Sequence, residues 1–475
     1  MATLNSALQI MAGALNADQA ALNITANNTS NANTPGYTRQ IAVWQANDPV
    51  TINGISYGTG AQLTAAQSQR SLILDTRIQQ QEQAQQATSS QSTALQQIEA
   101  IFNQVTTSTN GTSAGDIGLG DQVTSFFNSL SALENDPADT PTRDGVLSAA
   151  NSLAQTFNSV AAQLNSQTDS LNQQVNGIVK QINPLLTSIA QLNQQISSTS
   201  PNADAGQLED QRQQDIQQLS QYIGVNTITT ENNGLTLTTT SGALLVSEGN
   251  AYQLTTGNVS GNLDVFTTAP GSAEDVTTAQ ASGGGQLAGL LTTRDQTIPS
   301  VQSTVDTLAY DLATQVNAVQ TAGADQNGNP GVALFNIPGT VAGSAAGISV
   351  AITDPSQIAA AGAGLGAGSN ANAVNLAGLQ GQSIIAGQTA GDYYSSFISS
   401  LGSQVAGLNT ENTAQQASLT QLQSQQNALS GVSLNEEAAN LQQYEQAYQS
   451  AAQFFSVLNT LMASAMNLGV TTAVA

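Results

Sequence analysis

Two apolar stripes, one at each end of the chain, decide most of what it can become. Leu4, Leu8, Met11, Leu15 and Leu22 recur at alternating spacings of four and three, with Asp18 filling one polar slot. That is a heptad seam, and it places those side chains on one stripe of a helix. From Leu434 the far end repeats the device: Leu434, Glu437, Leu441, Tyr444, Tyr448, Ala451, Phe455, Leu458, Met462 and Ala465 share a seam with one polar member. A second row, Ala447, Phe454, Leu461 and Leu468, widens the stripe beyond what a two-helix seam needs. Gly431 precedes this run, and Ser433 with Glu436 makes a capping-box pattern. The spacing predicts one helix from Leu434 to Leu468, roughly 50 Å long. A lone helix does not recover the entropy of its own ordering by burying one seam. The two ends are therefore expected to pair as a coiled coil, with copies of the chain or near relatives supplying the remaining partners.

Between the ends the pattern changes several times. Residues 50–66 alternate around an Asn-Gly pair and predict a hairpin. Residues 67–223 are mostly helical, with apolar repeats at Leu95, Ile98, Phe102 and Val105 and again at Val160, Leu164, Leu171, Val175 and Ile178. Breaks fall near "TNGTSAGDIGLGD", "ENDPADTPTRDG" and "STSPNADAG". Residues 224–270 alternate Thr with apolar residues and predict strands. Residues 286–322 return to helix, 331–390 are Gly/Ala-rich with short strands, and 393–429 are helical again. The fold class expected is mainly α, with a helical-bundle middle, β-rich outer parts and discontinuous layered domains. Residues 1–45 with 430–475 form the terminal coiled-coil domain in this reading. A helical domain takes 46–223 with 286–330 and 391–429, and a β-rich outer domain takes 224–285 with 331–390.

Composition narrows the function. Seven basic residues against 31 acidic ones give a net charge of −24, the wrong sign for replacing counterions around nucleic acid or for an anionic membrane. No cysteine is present, which removes disulfides, thiolate nucleophiles and Cys-based metal sites. No histidine is present either, which removes the usual general base at neutral pH and the commonest metal ligand. No cofactor or metal is expected. No Lys or Arg precedes Arg39, so the basic start of a Sec-type signal is missing, and no apolar run reaches the length of a membrane span. On these rules alone the chain reads as cytoplasmic.

Motifs that suggest chemistry fail on inspection. "GTSAG" (Gly111 to Gly115) matches a nucleophile-elbow pattern around Ser113, but no strand precedes it and no histidine exists to serve it. "DQNGNPG" (Asp325 to Gly331) opens like a calcium loop. It then places Pro330 where Gly is required and Asn336 where Glu is required, so it predicts a polar turn. Glu436 and Glu437 are adjacent and point about 100° apart on a helix, unsuitable for an acid–base pair. Their expected roles are capping and dipole compensation, with Glu437 also holding a seam slot. Asn23, Asn27 and Asn28 head N-x-S/T sequons that are expected to serve turns.

The stretch "NNTSNANTPGYTRQ" (Asn27 to Gln40) ends the first helix. Thr34-Pro35-Gly36-Tyr37 has type II turn chemistry, with Gly36 supplying a positive φ, and Asn27, Asn28, Asn31 and Asn33 can cap loose backbone groups. "ANNTSNANTPGYTRQ" (Ala26 to Gln40) resembles the N-terminal signature of the bacterial flagellar axial family of rod, hook and hook-associated proteins. "SGVSLNEEAANLQQYEQAYQSAAQFFSVLNTLMASAMNLG" (Ser430 to Gly469) is similar to the matching C-terminal signature. Within that family the helical mass of residues 67–223 suits a junction member better than the hook protein.

The resemblance implies a structural subunit that joins hook to filament, secreted to the flagellum through its type III export apparatus, which overturns the cytoplasmic reading. It implies that the terminal helices pack with those of neighbouring subunits to line an axial tube, with the other domains facing outward. The packing residues would be Leu4, Leu8, Met11, Leu15, Leu22, Leu434, Glu437, Leu441, Tyr444, Tyr448, Phe455, Leu458 and Met462. The junction loop would be Asn27, Asn28, Asn31, Asn33, Pro35, Gly36 and Tyr37. The implied partners are copies of the chain, the hook protein, a second hook-associated junction protein, and an export chaperone on the C-terminal helix. Another axial protein, or a secreted adhesin or enzyme on a flagellin-like frame, stands as the alternative.

Overall fold

A computed structural model describes residues 2–52, 54–102, 118–200, 204–259, 262–268, 274–281 and 283–471. The first seam forms α1 (Ala2–Ser30), whose last turn takes in Asn27 and Asn28 of the expected junction loop, so that the helix stops only before Asn31. Tyr37 N–H bonds the Thr34 carbonyl at 3.2 Å while Gly36 takes φ +75°. This is the type II turn that Pro35-Gly36 predicts.

The chain then enters a ribbon. Strand β1 (Gln40–Ala46) pairs antiparallel with β4 (Ala61–Ser68), and β2 (Val50–Ile52) with β3 (Ile55–Tyr57) closes the tip. The alternation at 50–66 therefore marks only part of the hairpin. Its first strand begins at Gln40, and the expected boundary at 45/46 cuts through β1. "QIAVWQA" does not alternate cleanly, because the pairing of β1 with β4 slips by one residue at a bulge between Val43 and Trp44.

Helices α2 (Leu72–Phe102), α3 (Leu119–Asn135), α4 (Thr140–Thr199) and α5 (Gln207–Tyr222) build the body. Asp139 caps α4 by accepting from Thr142 N–H at 3.0 Å. At 60 residues α4 runs about 90 Å and is the spine. The "GTSAG" stretch lies outside the described residues.

A four-stranded antiparallel sheet follows: β5 (Val225–Thr229), β6 (Leu235–Thr239), β7 (Leu244–Ser247) and β8 (Asn250–Ala251). A second sheet has β9 (Leu254–Val259), β10 (Asn262–Thr267) and β11 (Glu274–Asp275). Helices α6 (Thr277–Ala281) and α7 (Gly285–Thr292), a π turn (Thr293–Thr297) and α8 (Ile298–Ala322) return to the body. Short pairs β12 (Gly323–Ala324) with β15 (Ala361–Gly362), and β13 (Phe335–Asn336) with β14 (Ser349–Val350), surround α9 (Ser344–Gly347). Then come α10 (Ala371–Gly378), α11 (Ala390–Ser430) and α12 (Leu434–Thr471).

One contiguous core joins helices to sheets, taking in Phe126 and Phe157 from the body, Leu237 and Val265 from the sheets, and Phe335. The sheets are fastened to α4 by amides. Asn183 donates to the Leu254 carbonyl at 2.9 Å and accepts from its N–H at 2.8 Å. Asn193 donates to the carbonyls of Leu235 and Glu248, at 2.7 and 3.1 Å. "DQNGNPG" is a polar turn in which Asp325 accepts from the N–H groups of Asn327 and Asn329, both at 2.8 Å.

Replacing Asn183 with Leu leaves both polar groups of Leu254 without their partner. Urea unfolding is expected to show a loss of about 2 kcal/mol, with far-UV helix content unchanged.

Candidate functional site

α1 lies between two partners. Its C-terminal end sits beside the first turn of α12, so the two terminal helices pair antiparallel. The ribbon covers a second face. Gly60 of the ribbon lies so close to Ile10 that an added Cβ would come within 3.2 Å of it, and Asn28 bonds β1. Ile10, Ala14, Ala17, Ala21, Thr25 and Asn28 share this face at spacings of three and four, about 115° around the helix from the heptad seam. Ala17, Ala21, Thr25 and Asn28 are all buried. Small residues give a closer backbone approach here, a signal hidden by attention to Leu and Met.

The seam residues Leu4, Leu8, Met11, Leu15 and Leu22 are half-buried, as are Tyr444, Phe455, Leu458 and Met462. Leu434, Leu441 and Tyr448 remain exposed, and so do Phe454, Val457, Leu461 and Met466 outside the seam. Phe454 keeps 63% of its surface in solvent. Trp44 of the ribbon stands 6.2 Å from Tyr444, ring centre to ring centre.

Below the paired helices the chain crosses to the body through a polar joint. Asn28 donates to the Gln40 carbonyl at 2.8 Å and accepts from the Gln40 N–H at 3.0 Å. The Tyr37 hydroxyl donates to the same Asn28 oxygen at 2.8 Å. Burial, reinforced by the charges of Asp210 and Glu437, pushes the Tyr37 hydroxyl up to about 12, so it stays a donor. Asn31 donates to the Asn27 side-chain oxygen at 2.6 Å and accepts from Thr34 at 3.2 Å. Asn33, Pro35 and Gly36 are exposed, and the Pro35 carbonyl accepts from Gln214 of α5.

Arg39 donates through Nε to Glu437 at 2.8 Å and pairs also with Glu436, while its backbone N–H bonds the Ser430 carbonyl at 2.9 Å. Glu437, 1% exposed, is thereby a buried anchor at the foot of α12. Only half of the expected capping box is made: Ser433 Oγ accepts from the Glu436 N–H at 3.5 Å, and the Glu436 carboxylate turns to Arg39 instead.

On the body side, three carboxylates at the start of α5 grip the crossing strands. Asp204 accepts from Ser68 through both its N–H and its hydroxyl. Asp210 accepts from the Thr38 N–H at 3.0 Å and pairs with Arg70, and Glu209 meets Arg70 at 3.2 Å. Arg70 also faces Asp75 at 3.9 Å. Residues 32–38, α5 and the end of α11 enclose a polar cleft of about 420 Å³ at this joint. Arg39, Arg70, Asp204 and Asp210 were not legible as site residues from spacing. The available signal was scarcity, since a chain with seven cations has few places to put each one.

A family model for the flagellar hook-associated protein FlgK helical domain matches residues 95–335, just over half of the chain. The chain belongs to the flagellar hook-associated protein FlgK family. A second model, for the flagella basal body rod protein, matches residues 8–38, which carry the first seam and the junction loop. Flagellar hook-associated protein 1 of Escherichia coli is 28% identical, the match covering 96% of this chain and 98% of that protein. The Bacillus subtilis protein of the same name is 29% identical over 96% of each. The solved flagellar hook junction protein FlgK from Burkholderia pseudomallei has a similar fold, with a TM-score of 0.66 and 19% identity. It covers 74% of this chain and all of that one. The protein is thus a structural subunit of the bacterial flagellum, exported and assembled at the hook–filament junction, and the hook-protein and second-junction-protein readings give way to it. It assembles with other axial components and with copies of itself. Its matched relatives are structural flagellar proteins.

Among the described residues no group of three or more acidic, Cys or His side chains is placed to hold a metal ion, and no helix is long and apolar enough to cross a membrane.

One guanidinium serves three carboxylates around Arg70, and one oxygen of the buried Asp75 has no hydrogen-bond partner. Burial raises the Asp75 carboxyl above its usual 3.8; Gln426 and Arg70 oppose this and Asp210 adds to it. A carboxyl raised in the folded state favours folding below its unfolded value, and that contribution is lost as pH rises through the folded value. Asp75→Asn is therefore expected to raise the urea midpoint at pH 7, with the advantage fading as pH falls toward 3.8. A gain that persists undiminished at pH 3.5 would contradict the assignment.

Proposed function

We propose that this chain acts as a non-catalytic adaptor layer, contacting the hook protein on one side and the second hook-associated junction protein on the other. The observation that carries the reading is the surplus apolar row on α12. Pairing with α1 leaves Phe454, Val457 and Leu461 in solvent on one face of the helix, a row that marks a further interface. Neighbouring subunits would cover it together with Leu434, Leu441 and Tyr448. The half-buried seam residues would hold α1 to α12. Before export, a cytoplasmic chaperone would shield the same row.

The junction loop, Asn27 to Tyr37, fixes the angle at which the terminal pair leaves the body. In this reading residues 1–45 with 430–475 form the tube-lining unit, extended by the rest of the ribbon to Ser68. The helical residues to 223, with 286–330 and 391–429, form the wall. The β-rich residues 224–285 with 331–390 face outward, docked on α4 rather than free of it. Absence of catalysis belongs to the proposal as well, supported by the lack of histidine and cysteine.

Deleting residues 434–475 is expected to abolish filament attachment in motile cells while leaving the body folded by circular dichroism. Normal filaments on that strain would sink the reading. A milder test replaces Phe454 and Leu461 with Ser: both are exposed, so monomer stability is expected to change by less than about 0.5 kcal/mol, while filament attachment fails.

A further inference from the structure

The charge inventory singles out one side of the body. Arg39, Arg70, Arg143, Arg212 and Arg294 are all bonded within the chain. Arg77 and Lys180 are the other two cations; both are exposed, and neither has a hydrogen bond or ion pair among the described residues. Arg77 does not stand alone. One turn before it is Ile73, 73% exposed, beside Leu72, 64% exposed. Gln426 of α11 contacts Asp75. Ile73 and Arg77 lie two residues on either side of Asp75, so they point about 160° around α2 from the Asp75–Gln426 bond, and among the described residues α2 next bonds α11 at Gln81, one turn beyond Arg77. Among the described residues this side is uncovered, and Thr76 and Gln80 on it are exposed too.

Like-charged copies of a −24 chain repel when brought into contact. Contact between them is favoured where a free cation meets the surplus carboxylates. We infer that Leu72, Ile73 and Arg77 form a docking surface for an acidic face of a second copy of this chain, separate from the terminal helices. The copy is the occupant because its acidic surplus supplies the complementary charge, and Leu72 and Ile73 supply apolar area that none of the described residues covers. This inference rests on the junction reading, since it requires copies to stand side by side.

The test places a photoreactive benzoyl-phenylalanine at position 73 of the full chain, expressed in its flagellated host, and irradiates isolated hook–filament junctions. The exposure of Ile73 means the replacement leaves the core intact. The expected product contains two copies of the 48.5 kDa chain and no other protein. Arg77→Glu is expected to cut its yield, per incorporated chain, by about tenfold, and Arg77→Lys to retain most of it. Lys180→Glu is expected to leave it unchanged. Cross-linking to a different protein, or no dimeric product from junctions that contain the chain, overturns the surface. Absence of the chain from the junctions overturns the functional reading itself, and this inference with it.

Discussion

Buried backbone groups must find hydrogen-bond partners, and where a helix meets the end of a strand this chain repeatedly supplies them with asparagine. A side-chain amide carries a donor and an acceptor arranged as in a peptide group. Asn28 uses both on Gln40, Asn183 both on Leu254, and Asn317 both on Phe335, the last at 2.8 and 2.9 Å. In each case a helix presents the amide to a strand and so completes a ladder across two kinds of structure. An aspartate in these positions would accept but not donate, and would carry the cost of burying a charge. The amide avoids both problems. A chain with 8% charged residues can thus weld sheets to a long helix without salt bridges.

At the joint the chemistry changes. There Arg39 and Arg70 engage five carboxylates, and each stands where the chain crosses between the terminal helices and the body. For Glu437 and Asp210, each buried against its arginine, removing one partner costs far more than the pair contributes when intact. Charge placed at the crossing therefore resists bending there, because any large swing separates Arg39 from Glu437 or Thr38 from Asp210. α1 adds to this stiffness by packing α12 on one face and the ribbon on the other. A subunit that adapts one packing geometry to another needs such a fixed angle.

The sequence was most legible where periodicity was longest. Both terminal helices, their pairing, the type II turn at Pro35-Gly36 and the breaks between body helices follow from spacing and turn chemistry. Strand β1 did not, because a bulge between Val43 and Trp44 breaks its alternation. Asn28, Asn183 and Asn193 look like polar surface until the strand that uses them is in place. The joint was half legible. Its loop carried a signature, but Asp204, Glu209 and Asp210 lie some 170 residues beyond it, and Thr38–Asp210 is a pairing that only the fold creates. Glu437, placed in the seam by its spacing, is buried and paired with Arg39, a partner its spacing did not reveal.

The acidic surplus and the apolar row on α12 act on association in opposite ways. Apolar burial is non-directional, so a row containing Phe454, Val457 and Leu461 would by itself join copies in many registers. Repulsion between chains of charge −24 penalises every close approach, and most of all those that bring acidic faces together. Only arrangements that bury the row while keeping carboxylates apart, or that set them against a free cation, escape that penalty. The few cations left unpaired are then as decisive for geometry as the many apolar side chains. Attraction without direction and repulsion with a pattern together select one packing.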